Sequence, residues 1–268
     1  MAVNTPNAQY QLMRERWETM NDVCEGAPAI KLHPYKYLPY TQCEDDGKRF
    51  IQYAKRAVFY ETTKDTLQSH VGLAFSEDPS FEPDGMDFLK SNADGAGKSI
   101  YQLNQLALVG LLKHGRGGYL VDHPSVESGI SKAQAETMGL RPVIVHYDAL
   151  SIINWRVKKV GGEYRLSLVV LHEIENVVDP QDEFQEKAVN VYRVLRLDEN
   201  NRYSVQVYSD NTGELIGSDL IYPTRQGGTW DIIPFIFLGS QVNDSNIHDI
   251  PLEPLANINL AHYRNSAE

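Results

Sequence analysis

Apolar residues recur at helical spacing through the first third of the chain and at strand spacing through most of the remainder. Tyr10, Met13, Trp17 and Met20 fall three and four apart, a one-sided stripe that predicts a helix over Gln9–Val23. Gly26-Ala-Pro28 ends it. His33-Pro-Tyr-Lys-Tyr-Leu-Pro39 mixes aromatics with prolines and predicts extended or turn backbone. Phe50, Ala54, Ala57 and Val58 restore a helical pattern over Asp45–Tyr60, and Thr62–Phe75 continues it. Ser76–Pro83 reads as a loop, and a short helix is expected over Met86–Asn92.

The densest apolar run is Ser99–His114. Ile100, Leu103, Leu106, Leu108, Val109, Leu111 and Leu112 occupy most of a helix circumference, which predicts a buried helix. It empties through Gly115-Arg-Gly-Gly118 into Tyr119-Leu-Val-Asp122. The glycines allow close backbone approach, so this strand is expected near the centre of a sheet.

Beyond Asp122 the period shortens. Ser131–Gly139 is expected to form a short helix, with Ser131 as N-cap and Gly139 as its stop. Strands follow at Val143–Tyr147, Ile152–Lys158, Tyr164–Glu173, Val189–Leu197, Tyr203–Tyr208 and Leu215–Tyr222. Gly161-Gly162, Glu199-Asn-Asn201 and Asp210-Asn-Thr-Gly213 supply hairpin turns, so an antiparallel meander is predicted. Ile232–Leu238 is a further strand, and a last helix spans Leu252–Ser266 with Pro251 in its first turn. Asn265-Ser-Ala-Glu268 has neither a glycine cap nor a polar tail, so this helix is expected to be one that a longer chain would continue. The fold class is therefore α+β, a helical N-terminal part packed on a mixed or antiparallel sheet.

Composition narrows the class without naming a chemistry. The 268 residues, 42% hydrophobic and 23% charged, suffice for one large domain or two modest ones. No run reaches the ~18 apolar residues of a membrane span, and Met1-Ala-Val-Asn-Thr-Pro6 lacks the pattern of a secretory signal. Cys24 and Cys43 lack metal-site spacing and are expected to be buried free thiols, with pairing left open. A net charge of −11 argues against a surface built to grip phosphates. It does not argue against a surface past which DNA slides.

Gly97-Lys98-Ser99 resembles the end of a phosphate-binding loop. The motif needs a glycine at position 92, where Asn92 stands, and a buried strand ahead of it, where Asp87–Asn92 reads as polar and helical. Ser99-Ile-Tyr-Gln102 fits a capping box, with Asp94 and the glycines as the turn before it. His172-Glu-Ile-Glu-Asn176 lacks the second histidine of a zinc-protease helix and alternates like a strand. His114, His123 and His146 are scattered and read as surface or core-edge residues. Glu173, Glu175, Asp179, Asp182, Glu183 and Glu186 have no Lys or Arg among them and lack calcium-loop spacing, so they read as a solvated hairpin loop. No G-x-S-x-G occurs. No catalytic, cofactor-binding or metal-binding residue is assigned, and the chain is not expected to be an enzyme.

A set of short motifs does stand out. In order they are Trp17 with Asp22-Val-Cys-Glu-Gly26, Tyr37-Leu-Pro39, Arg56-Ala-Val-Phe59, Gly115-Arg-Gly-Gly-Tyr-Leu-Val-Asp122, and Arg141-Pro142 with Tyr147. Ile153-Asn-Trp155-Arg156, Tyr192-Arg-Val-Leu195, Ile233-Pro-Phe235 and Leu260-Ala-His-Tyr-Arg264 follow. The ordered set resembles the DUF4055 family of tailed-bacteriophage portal proteins, the head–tail connectors.

That resemblance implies a homo-oligomeric ring, usually a dodecamer, at one capsid vertex. Double-stranded DNA is packaged and ejected through its channel, while the terminase large subunit, head–tail adaptors and the major capsid protein dock on it. It implies no cofactor, no metal and no membrane partner, and a place in the virion after assembly in the host cytoplasm. On the same resemblance residues 1–250 form the wing and 251–268 begin the stem helix, with the clip, second stem helix and crown lying outside this sequence. No DNA-contact residue is carried over. Trp17, Tyr35, Tyr37 and Trp155 are candidate aromatic anchors of ring contacts or members of the subunit's own core. Two other readings stay open: a nucleotide-binding enzyme using Gly97-Lys98-Ser99, and a generic α+β interaction module.

Overall fold

The computed structural model describes residues 2–39, 48–77, 79–82, 84–124, 134, 137–179, 181–210, 215–225 and 228–267. The fold is α+β. Among the described residues, helices α1 (Ala8–Glu25), α2 (Ala27–Leu32), α3 (Pro34–Tyr37), α4 (Lys48–Arg56), α5 (Thr62–Ala74) and α6 (Ile100–His114) precede ten strands, and α7 (Glu253–Ala267) follows them. The chain forms two compact units, each discontinuous in sequence.

The first unit comprises residues 1–12, 117–238 and 243–246. In its three-stranded sheet β1 (Arg116–Asp122) lies between β2 (Val143–Asp148) and β10 (Phe235–Gly239), the central place expected for the glycine-led strand. Gly118 pairs with Tyr147 in an antiparallel register. A Cβ at Gly118 would fall within the ring of Phe235, so a side chain there and that ring exclude each other.

The second sheet is the predicted meander: β3 (Ile152–Val160), β4 (Glu163–Asp179), β5 (Asp182–Leu197), β6 (Tyr203–Ser209) and β7 (Ile216–Gly217), in sequence order. All four pairings are antiparallel. Its buried positions include Ile152, Val169, Leu171, Val191 and Leu195. The N-terminal residues line up along β3: the Asn7 amide donates to Ile153 O at 2.8 Å and the Tyr10 hydroxyl to Leu150 O at 3.0 Å. The short β8 (Thr224–Arg225) and β9 (Gly228–Thr229) pair with each other.

The second unit comprises residues 13–116, 239–242 and 247–268. Met13, Trp17 and Met20 are buried, as their spacing predicts. Trp17 donates its indole N–H to His114 O at 2.9 Å, so burying this large side chain leaves no polar cost behind. On α7, Asn259 accepts from the Thr63 amide and hydroxyl and donates to Tyr60 O at 2.7 Å. Gly115 adopts φ +70° to close α6, and its would-be Cβ meets the backbone of Asp249. Glycine is required on both counts.

Five expectations are corrected. His33–Pro39 is not extended: Pro28 and Pro34 occupy first-turn positions of α2 and α3, where a missing N–H costs nothing. α6 is not buried around its circumference; Leu103, Ala107, Gly110 and His114 form one buried stripe, while Leu106 is exposed. The acidic segment is a hairpin but not its loop, since pairing runs on to Asp179 and Asp182. Leu215–Tyr222 yields only the two-residue β7 and an isolated bridge at Ile221. The short helix expected over Met86–Asn92 is a 3-10 turn at Asp87–Lys90. Ser131, the expected N-cap, and Cys43 lie outside the described residues; Cys24 is a buried free thiol.

Candidate functional site

The Gly97-Lys98-Ser99 segment is a turn and a helix cap. Ser99 Oγ accepts from the Gln102 amide while Gln102 Oε1 accepts from the Ser99 amide at 2.9 Å, the reciprocal pair the sequence predicts. Asp94 Oδ1 accepts from the amides of Ala96 and Lys98, and Asp94 Oδ2 pairs with the Lys98 ammonium at 3.0 Å. Burial works against the charged carboxylate, but these donors outweigh it and hold the Asp94 pKa below its ordinary value. The lysine is thus occupied by its own turn. A 3-10 helix, Asp87–Lys90, stands where a phosphate loop carries a strand.

The four histidines singled out in the sequence each have their own local neighbours. His114 is buried with Nε2 at 2.9 Å from Asn21 Oδ1. His123 sits near Pro124 O, and His146 meets the Tyr119 ring edge-on at 5.7 Å. His172 stacks on Tyr192 and reaches Asn190 across the ladder; it stands on a strand, as its alternation predicts. Among the described residues no group of three His, Cys, Asp or Glu side chains is placed to hold a metal ion.

Two surfaces remain, one in each unit. In the first unit, β4 and β5 run past the rest of their sheet as a two-stranded arm. β3 stops pairing with β4 at Leu171, and β6 stops pairing with β5 at Val191. From Ile174 to Ala188 nearly every described side chain is exposed on both faces. Glu175, Glu183 and Glu186 are exposed beside Ile174, Val178 and Phe184, and Phe184 is 89% exposed. The arm's root is pinned by charge. Arg193 Nε donates to Glu173 Oε1 at 2.9 Å and Nη1 to Asp122 Oδ2 at 3.2 Å, while Tyr147 donates its hydroxyl to Glu173. Burial and then the Glu173 charge push the Tyr147 pKa far up, so its hydroxyl stays a donor.

In the second unit, Lys31, Tyr35, Phe50, Ile51, Lys55 and Tyr263 line a cleft of about 320 Å³. Tyr35 and Phe50 stack with centroids 4.6 Å apart. Tyr263 is fully buried, its ring edge-on to Phe59 at 5.7 Å. Its hydroxyl is buried and has no hydrogen-bond partner among the described residues, and burial raises its pKa. Lys31 and Lys55 are exposed at the cleft.

No protein-family model matches the chain, and no curated protein matches it. The two surfaces therefore stand on their own chemistry: an acidic ribbon with an exposed aromatic, and a basic cleft walled by aromatics. Neither gathers a nucleophile, a general base and an oxyanion donor as a catalytic site would. Of the four candidate anchors, Trp17, Tyr37 and Trp155 are buried and only Tyr35 is exposed. Tyr37 donates its hydroxyl to Asp22, and burial together with that bond pushes its pKa to about 12. Phe184 was missed because it sits among acids that read as loop; a lone aromatic there is the signal that marks it. Tyr263 was legible only as part of Leu260-Ala-His-Tyr-Arg264.

Proposed function

We propose that this chain is a subunit of a tailed-bacteriophage portal, acting by assembly into a ring and not by catalysis. The observation that carries the reading is the ordered set of motifs resembling the DUF4055 portals. Most of their large residues occupy scaffold positions: Trp17, Tyr37, Tyr147, Trp155, Leu195, Phe235 and Tyr263 are all buried. The acidic balance, net −11, suits a conduit, because neutralising phosphates is what makes DNA adhere. On this reading the ring is a dodecamer at the portal vertex, assembled in the host cytoplasm, with terminase, head–tail adaptors and capsid protein as partners and duplex DNA as cargo.

Negative-stain imaging and sedimentation of the full chain test the proposal. Closed rings with a central channel are the expected particles. A species that stays monomeric at every concentration overturns it.

A further inference from the structure

The cleft between α2, α3, α4 and α7 sets an aromatic wall beside two cations. Tyr35, stacked on Phe50, is 63% exposed there, and Lys31 and Lys55 are exposed and form no ion pair among the described residues. An acidic segment with an aromatic side chain fits both features.

The chain itself carries such a segment. The β4–β5 arm presents Phe184 at 89% exposure, with Asp182, Glu183 and Glu186 beside it. A two-stranded ribbon with both faces in water is marginal on its own, and its exposed aromatic has no use within its own sheet. Resting on the ring reading, we infer that the arm of one copy seats Phe184 in the Tyr35–Phe50–Tyr263 cleft of the next. The acids of the arm face Lys31 and Lys55. Such a contact is heterologous, one surface meeting a different one, and contacts of that kind close into rings or propagate as filaments.

The test uses two variants of the full chain, each altered only at exposed positions, so neither threatens folding. Phe184→Ala removes the anchor; Lys31→Glu with Lys55→Glu reverses the cleft. Sedimentation velocity should show each variant's self-association weakened about tenfold or more against the unaltered chain. An equimolar mixture should recover pairing only, since one variant lends its arm and the other its cleft. Unaltered chain that assembles while both variants assemble equally well overturns the inference and leaves the ring standing. Assembly that depends on both surfaces but gives open filaments supports the contact and removes the ring. Monomer throughout overturns both.

Discussion

Arg193 on β5 holds Glu173 on β4 through Nε at 2.9 Å, a diagonal pair on one face of the sheet. Its remaining fork reaches Asp122 at the end of β1, so a single guanidinium links strands of both sheets within the first unit. Burial disfavours its charge, yet Glu173 more than restores it and raises the Arg193 pKa.

Arg193→Met should therefore lower stability by about 2–3 kcal/mol, the loss of charged hydrogen bonds that leaves the half-buried Glu173 without its cation, held by the Tyr147 hydroxyl. Adding Glu173→Leu should recover part of that loss, since no buried charge then remains. Urea denaturation followed by circular dichroism measures both; equal stability of Arg193→Met and the unaltered chain contradicts the pinning role.

Gly118→Ala should cost about 1–3 kcal/mol, because the new methyl and the Phe235 ring claim the same space. Phe235→Leu in the same chain should relieve part of the cost. A double-mutant cycle that shows additive losses would mean the two residues do not compete.

Ser99→Ala should lower stability by about 1 kcal/mol through loss of the cap. Lys98→Ala should change it by under about 0.5 kcal/mol, as its ion pair with Asp94 lies at the surface. Magnesium ATP should leave the thermal midpoint of the chain unchanged. A nucleotide-dependent rise that disappears in Lys98→Ala would instead restore the phosphate-loop reading.

Burial lowers the His146 pKa from its ordinary 6.5, with Asp148 opposing the shift. The unfolded chain then takes up the proton first, so the stability this neutral ring contributes is complete above 6.5 and declines as pH falls through the folded value. His146→Gln should flatten the slope of the thermal midpoint against pH below pH 6.5. Parallel slopes for the two proteins would show that burial is not felt by the ring.

Much of this was legible from residue order. The Tyr10–Met20 stripe, the Ser99–Gln102 cap and the central position of the glycine-led strand follow from local geometry alone, and the structure carries all three. The acidic arm was not legible as strand because a ribbon wet on both faces has no alternation of burial to display. α6 misled in the opposite direction: its all-round leucines suggested burial, but full burial is confined to the stripe at Leu103, Ala107, Gly110 and His114, with Leu108, Val109, Leu111 and Leu112 half-buried and Leu106 exposed. The cleft could not be read at all. Its walls come from four helices, and nothing in local sequence announces that Lys31, Phe50 and Tyr263 will share one surface.

The arm also bears on how the chain stays in solution. Beyond Leu171 and Asn190 each of its strands has one edge without a paired strand among the described residues, and Ile174, Val177 and Val178 are exposed along it. Open edges with β-branched residues are templates for stray strand addition, and charge is what natural proteins use to forbid it. Glu175, Glu183 and Glu186 are exposed on the same ribbon and place such charge there. Replacing all three by glutamine would turn the same ribbon into a seed for aggregation.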